Sequence, residues 1–171
     1  HPLTNIGISL IFIVLAGLVA MVLFENTANI LIVVIAAGLG AYMALNIGAN
    51  DVANNMGPAV GANALSMGGA IAIAAIFESA GALLAGGDVV STVAKGIIAP
   101  ENMRTTAIFI FAMLSALLSA ALWVNLATWV GAPVSTTHSV VGGVMGAGIA
   151  AAGFAAVNWP TMYKIAASWV I

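Results

Sequence analysis

With 63% hydrophobic and 5% charged side chains over 171 residues, a net charge of −2 and a mean hydropathy of +1.19, the chain is not a soluble domain; soluble domains carry about 25% charged residues. So small a charge gives no reason to expect a nucleic-acid partner. The lack of cysteine removes disulfides and thiolate metal sites and leaves the redox compartment open.

Hydrophobic runs fall at Ile6–Phe24, Ile30–Ile47, Ala64–Ala85, Thr106–Trp129 and Val140–Val157, with a sixth beginning near Thr161. The first has no basic n-region and is nearly long enough to span, so it reads as a transmembrane helix and not a signal peptide. Glu25-Asn26-Thr27-Ala28-Asn29 suits a turn at the membrane surface. The second, third and fourth runs read as further spans. Residues 86–105 form the one hydrophilic loop expected, with Asp88, Lys95, Pro100, Glu101 and Arg104. Two of the basic residues lie there, which gives the loop a cytoplasmic placement by the positive-inside rule. Lys95 reads as a snorkelling anchor more readily than as a counter-charge. The tryptophans Trp123, Trp129, Trp159 and Trp169 read as an interfacial belt, and most of the glycines as close helix packing.

From Thr105 to Tyr163 there is no Asp, Glu, Lys or Arg. That length exceeds one crossing of about 20 residues and holds at least two membrane elements. Gly131-Ala132-Pro133 breaks the chain just after an apolar helix, with no charged loop following. Ser135-Thr136-Thr137 then supplies N-cap chemistry for a helix starting near His138. The pattern predicts a re-entrant hairpin over about residues 121–157.

Two polar clusters carry the chemistry. In Gly48-Ala49-Asn50-Asp51-Val52-Ala53-Asn54-Asn55, helical spacing puts Asn50 with Asn54 and Asp51 with Asn55 on adjacent stripes. Hard cations bind such oxygens, and one carboxylate suits a monovalent charge. Gly48 and Gly57-Pro58 would let the backbone leave the helix and lend carbonyls. By themselves these residues read equally well as an interfacial turn capped by Asp51. Glu78, within Phe77-Glu78-Ser79-Ala80-Gly81, is an acid inside an apolar run, which points to function; its bland alternative is a protonated, hydrogen-bonded carboxyl. In Pro133-Val134-Ser135-Thr136-Thr137-His138-Ser139, a helix starting inside the membrane aims N–H groups and its positive dipole end at an anion. Three hydroxyls add donors without adding charge. The alternative is an ordinary helix start at the water interface. His138 reads as a polar residue satisfied at that helix start more readily than as an anion donor.

These two motifs, in this order and with Phe77-Glu78 between them, resemble the inorganic phosphate transporter family of sodium- or proton-coupled phosphate symporters. The resemblance runs from about residue 30 to the end. It implies an all-α polytopic membrane protein made of two inverted repeats, each with an acidic motif and a re-entrant hairpin. Residues 1–171 would be one membrane domain, the first such repeat. The resemblance implies cation ligands at Asn50, Asp51, Asn54 and Glu78, with Asp51, Asn54 and Glu78 the sodium ligands if sodium is the coupling ion. It implies phosphate contacts at Ser135, Thr136 and Thr137. Asn55 departs from the family pattern, where a small residue is expected, and would add a ligand.

The resulting expectation is phosphate symport by alternating access, with no enzyme chemistry and no cofactor beyond the transported phosphate and Na+ or H+. Cations bind first, neutralise the acids and complete the anion site. The expected partners are phosphate, the cation, lipid and the second repeat, with homo-oligomerisation open, in the plasma (inner) membrane. The alternatives are a sulfate permease of the same fold, an anion channel, which leaves the two acids without purpose, and an intramembrane Ser–His hydrolase. The last lacks a Gly-x-Ser-Gly elbow, and adjacent His138 and Ser139 do not face each other on a helix. Only one copy of each motif is present, and the chain opens on His1 and stops in an apolar run, so it reads as an excerpt.

Overall fold

The structure, a computed structural model, describes residues 2–170. Six α-helices form among them: α1 (Pro2–Leu23), α2 (Ile30–Gly61), α3 (Met67–Ser91), α4 (Thr106–Trp129), α5 (Thr136–Ala152) and α6 (Trp159–Ser168). No strand forms among the described residues; a single antiparallel bridge joins Ile98 to Val157. Four segments are long and apolar enough to cross a membrane: Leu3–Leu23, Ile30–Gly61, Met67–Gly96 and Thr106–Trp129.

Two boundaries differ from expectation. The second run does not stop at Ile47; α2 continues for 32 residues, through the polar cluster and Pro58 to Gly61. At 1.5 Å per residue it is about 48 Å long, well beyond a hydrocarbon core of about 30 Å. The backbone does not unwind at Gly48 or Gly57, because a glycine inside a helix costs only about 1 kcal/mol. Pro58 lacks the N–H that would bond the Asn54 carbonyl, yet it lies in the last turn, where one lost bond ends nothing. The expected hydrophilic loop at 86–105 is also shorter. α3 runs on through Gly86-Gly87 to Ser91, and a π-helical turn covers Thr92–Gly96. Ile97 and Ile98 are then fully buried and Met103 is buried, so these three pack as core while Pro100, Glu101, Asn102, Arg104 and Thr105 stay exposed.

Side-chain caps begin most of the helices. Ser66 accepts from the Gly69 N–H, Thr105 from Ile108 and Asn158 from Thr161, each satisfying one orphan donor of a first turn.

α4 and α5 form an antiparallel helical hairpin. Gly143 lies so close to α4 that a Cβ there would stand 2.9 Å from the Ala116 carbonyl oxygen. Gly148 is likewise pressed against Ile98. Ala112, Ala116, Ala120 and Ala127 line the buried side of α4, and small side chains of this kind let helices approach where lipid offers no hydrophobic drive. One core gathers Ile97, Ile98, Met103, Val141, Val144 and Val157; a second joins Met43 of α2 to Ala120, Ala121 and Val124 of α4.

Candidate functional site

The turn between α4 and α5 is built by its own sequence. Gly131 takes φ 71°, a left-handed conformation that only glycine adopts without strain. Around it, Gly131 N–H bonds the Thr128 carbonyl at 3.1 Å and Ala132 N–H the Ala127 carbonyl at 2.8 Å, the paired bonds of a Schellman stop. Pro133 cannot continue a helix, and Ser135 starts the next one by accepting from the His138 N–H at 3.2 Å.

This tip docks on the middle of α2. Asn50, 4% exposed, donates to Thr128 Oγ1 at 3.1 Å and to the Ala132 carbonyl at 3.5 Å, and accepts from the Val134 N–H at 3.5 Å. Asn54 donates to Asn50 Oδ1 at 2.9 Å and to the Val134 carbonyl at 3.3 Å. One residue along, Asp51 Oδ2 accepts from Thr136 Oγ1 at 2.6 Å. The fold therefore brings the acidic and hydroxyl motifs into direct contact. Asp51 is half-buried and Thr136 is buried. A bond this short between a hydroxyl and a carboxyl oxygen lies at the strong end of the O–H···O range.

The other expected site residues are less closely joined. Ser135 spends its hydroxyl on capping and on His138, whose Nδ1 lies 2.6 Å from Ser135 Oγ. Thr137 faces a separate cleft with Asp88, Thr92 and Trp169. His138 lies against Trp169, ring centroids 3.6 Å apart, which carries the end of α6 over the tip. Asn55 is exposed. Glu78 stands exposed on α3 and makes no hydrogen bond to the Asn50–Asn54 group among the described residues. Asn54 Oδ1 is left without a donor among the described residues and is free to face a cation.

Sequence reasoning passed over Asn46, Asn125 and Thr128. Asn125 donates to Asn46 Oδ1 at 2.9 Å and Asn46 to the Tyr42 carbonyl at 2.8 Å, so α4 is tied to α2 one turn before Asn50. The signal was present: Asn46, Asn50 and Asn54 recur every four residues, one face of a helix.

The model of a family described as "Phosphate transporter family" matches residues 47–171. The chain belongs to the phosphate transporter family. A protein named as a phosphate permease in Helicobacter pylori is 57% identical over 98% of this chain and 31% of its own length. Another in Thermococcus kodakarensis is 44% identical over 82% of this chain and 34% of its own. A solved structure titled "The sodium-dependent phosphate transporter" superposes with a TM-score of 0.75 at 47% identity, covering 81% of this chain and 34% of that one. The chain thus spans about a third of the length of the relatives it matches. As a phosphate transporter family member with four apolar spans it is an integral, multi-pass membrane protein, and its family is one of transporters and not of enzymes.

Proposed function

We propose that this chain forms the cation- and anion-binding half-site of a sodium-coupled phosphate symporter that works by alternating access. The observation that carries the reading is the Thr136–Asp51 bond, which sets the start of a helix beside an intramembrane acid. A cation beside Asp51 neutralises the carboxylate, and the anion then meets N–H donors without a neighbouring negative charge. Asp51 and the open Oδ1 of Asn54 hold the cation. Glu78 is the second acid, and because an exposed carboxylate on a span must be neutralised, it joins the site when α3 is packed by the rest of the protein. Phosphate lies at the Ser135–Thr137 tip, which the α4–α5 hairpin carries as a re-entrant element. A second, inverted repeat completes the site in the plasma (inner) membrane.

The naming of the structural relative supports sodium over protons as the coupling ion. The test is uptake of labelled phosphate by the full-length protein in proteoliposomes. Uptake must follow an inward sodium gradient and be accelerated by phosphate trapped inside, because only a carrier exchanges. Flux without such exchange makes the protein a channel, and equal competition by sulfate widens the cargo.

A further inference from the structure

Asn50 is a cation ligand by family resemblance, yet its amide is already fully engaged. Nδ2 donates to Thr128 Oγ1 at 3.1 Å and to the Ala132 carbonyl at 3.5 Å; Oδ1 accepts from Asn54 Nδ2 at 2.9 Å and from Val134 N–H at 3.5 Å. A primary amide offers two N–H donors and two carbonyl lone pairs. These four contacts, two short and two long, use all of them. The amide cannot be turned over, because the Ala132 carbonyl only accepts and the Val134 N–H only donates. At 4% exposure no solvent or ion reaches it without breaking one of these bonds. Asn54 differs, since its Nδ2 is held by the Val134 carbonyl while its Oδ1 stays open.

We infer that Asn50 is a positioning residue, a latch that fixes residues 132–134 on α2 so that Thr136 reaches Asp51, and that it does not ligate the coupling cation. The inference rests on the proposed reading of Asp51 and the tip. The Asn46–Asn125 pair one turn away is the adjoining rung of the same ladder. Thr128 is a member of the latch by the same geometry: its hydroxyl hydrogen goes to the Val124 carbonyl at 2.9 Å, leaving a lone pair for Asn50.

Two variants of the full-length protein separate latch from ligand. Asn50→Asp keeps oxygens fit for a cation and loses both N–H donors. Thr128→Val swaps hydroxyl for methyl at a residue that touches neither ion. Three readouts are taken: the sodium dependence of thermal stability without phosphate, the phosphate concentration for half-maximal uptake at saturating sodium, and amide hydrogen exchange over residues 131–137. The latch predicts that both variants raise the half-saturating phosphate about fivefold, as for one lost hydrogen bond. Exchange at the tip quickens about tenfold in each. The sodium midpoint of Thr128→Val, which adds no charge beside Asp51, stays within about twofold, and the double variant is no worse than the poorer single one. A large sodium shift in Asn50→Asp with Thr128→Val silent in every readout makes Asn50 a ligand and overturns the inference, as does unchanged exchange in both. Should the unaltered protein respond to neither sodium nor phosphate, the site reading fails, and the exchange measurement still decides the latch.

Discussion

The Thr136 hydroxyl donates to Asp51 Oδ2 at 2.6 Å across 85 positions of sequence. It joins the first helical residue after the Pro133 break to the only acid on α2. Movement of either element is therefore felt by the other, and the acidic motif on α2 and the hydroxyl motif at the tip are mechanically joined.

Asp51→Asn tests the charge while keeping an oxygen for Thr136. Cation-driven phosphate uptake by the full-length protein is expected to vanish, with membrane insertion and the hairpin intact. Unchanged uptake with unchanged cation dependence would reduce Asp51 to an anchor for the tip.

Thr136→Val removes the donor and leaves a half-buried carboxylate one bond short. A hydrogen bond to a charged group contributes about 1.5–3 kcal/mol, so the variant should lose thermal stability and transport, and Thr136→Ser should restore both. Failure of serine to rescue would assign the effect to the lost methyl and its packing.

Gly143→Ala places a methyl 2.9 Å from the Ala116 carbonyl oxygen, a backbone atom that cannot swing aside. Overpacking of this kind costs about 1–3 kcal/mol. The melting temperature in detergent should fall, whereas Gly142→Ala, which meets nothing within 4 Å, should leave it unchanged.

Thr137→Ala should raise the phosphate concentration for half-maximal uptake several-fold without altering cation coupling, because the backbone donors persist. A triple alanine variant of Ser135, Thr136 and Thr137 that transports with unaltered affinity would move the anion site elsewhere.

Glu78→Gln should change the cation dependence of uptake more than the phosphate affinity at saturating cation. If the full-length protein instead holds Glu78 against a basic residue of another helix, the substitution would lower stability and leave coupling untouched.

Much of the architecture was legible without coordinates. Apolar runs marked the four spans because partition into lipid depends on local composition. The break after Trp129 and the helix restart at Thr136 were legible too, since Gly131, Pro133 and Ser135 act through their own backbone chemistry. What tertiary structure decided was the fate of the polar residues. Hydropathy ended the second span at Ile47, yet α2 runs on to Gly61 because Asn46, Asn50 and Asn54 find partners on α4 and the tip, 78 to 84 positions away. Likewise Ile97 and Ile98 read as part of a hydrophilic loop until packing against α5 buried them. The family resemblance implied Asn50 and Thr136 as ligands of a cation and an anion; only the fold shows that Asn50 hydrogen-bonds Thr128, Ala132 and Val134 and that Thr136 reaches Asp51. The reason is physical: a polar side chain in a membrane takes whichever partner the fold brings within 3 Å or so, and that partner is set by helix packing and not by its neighbours in the chain.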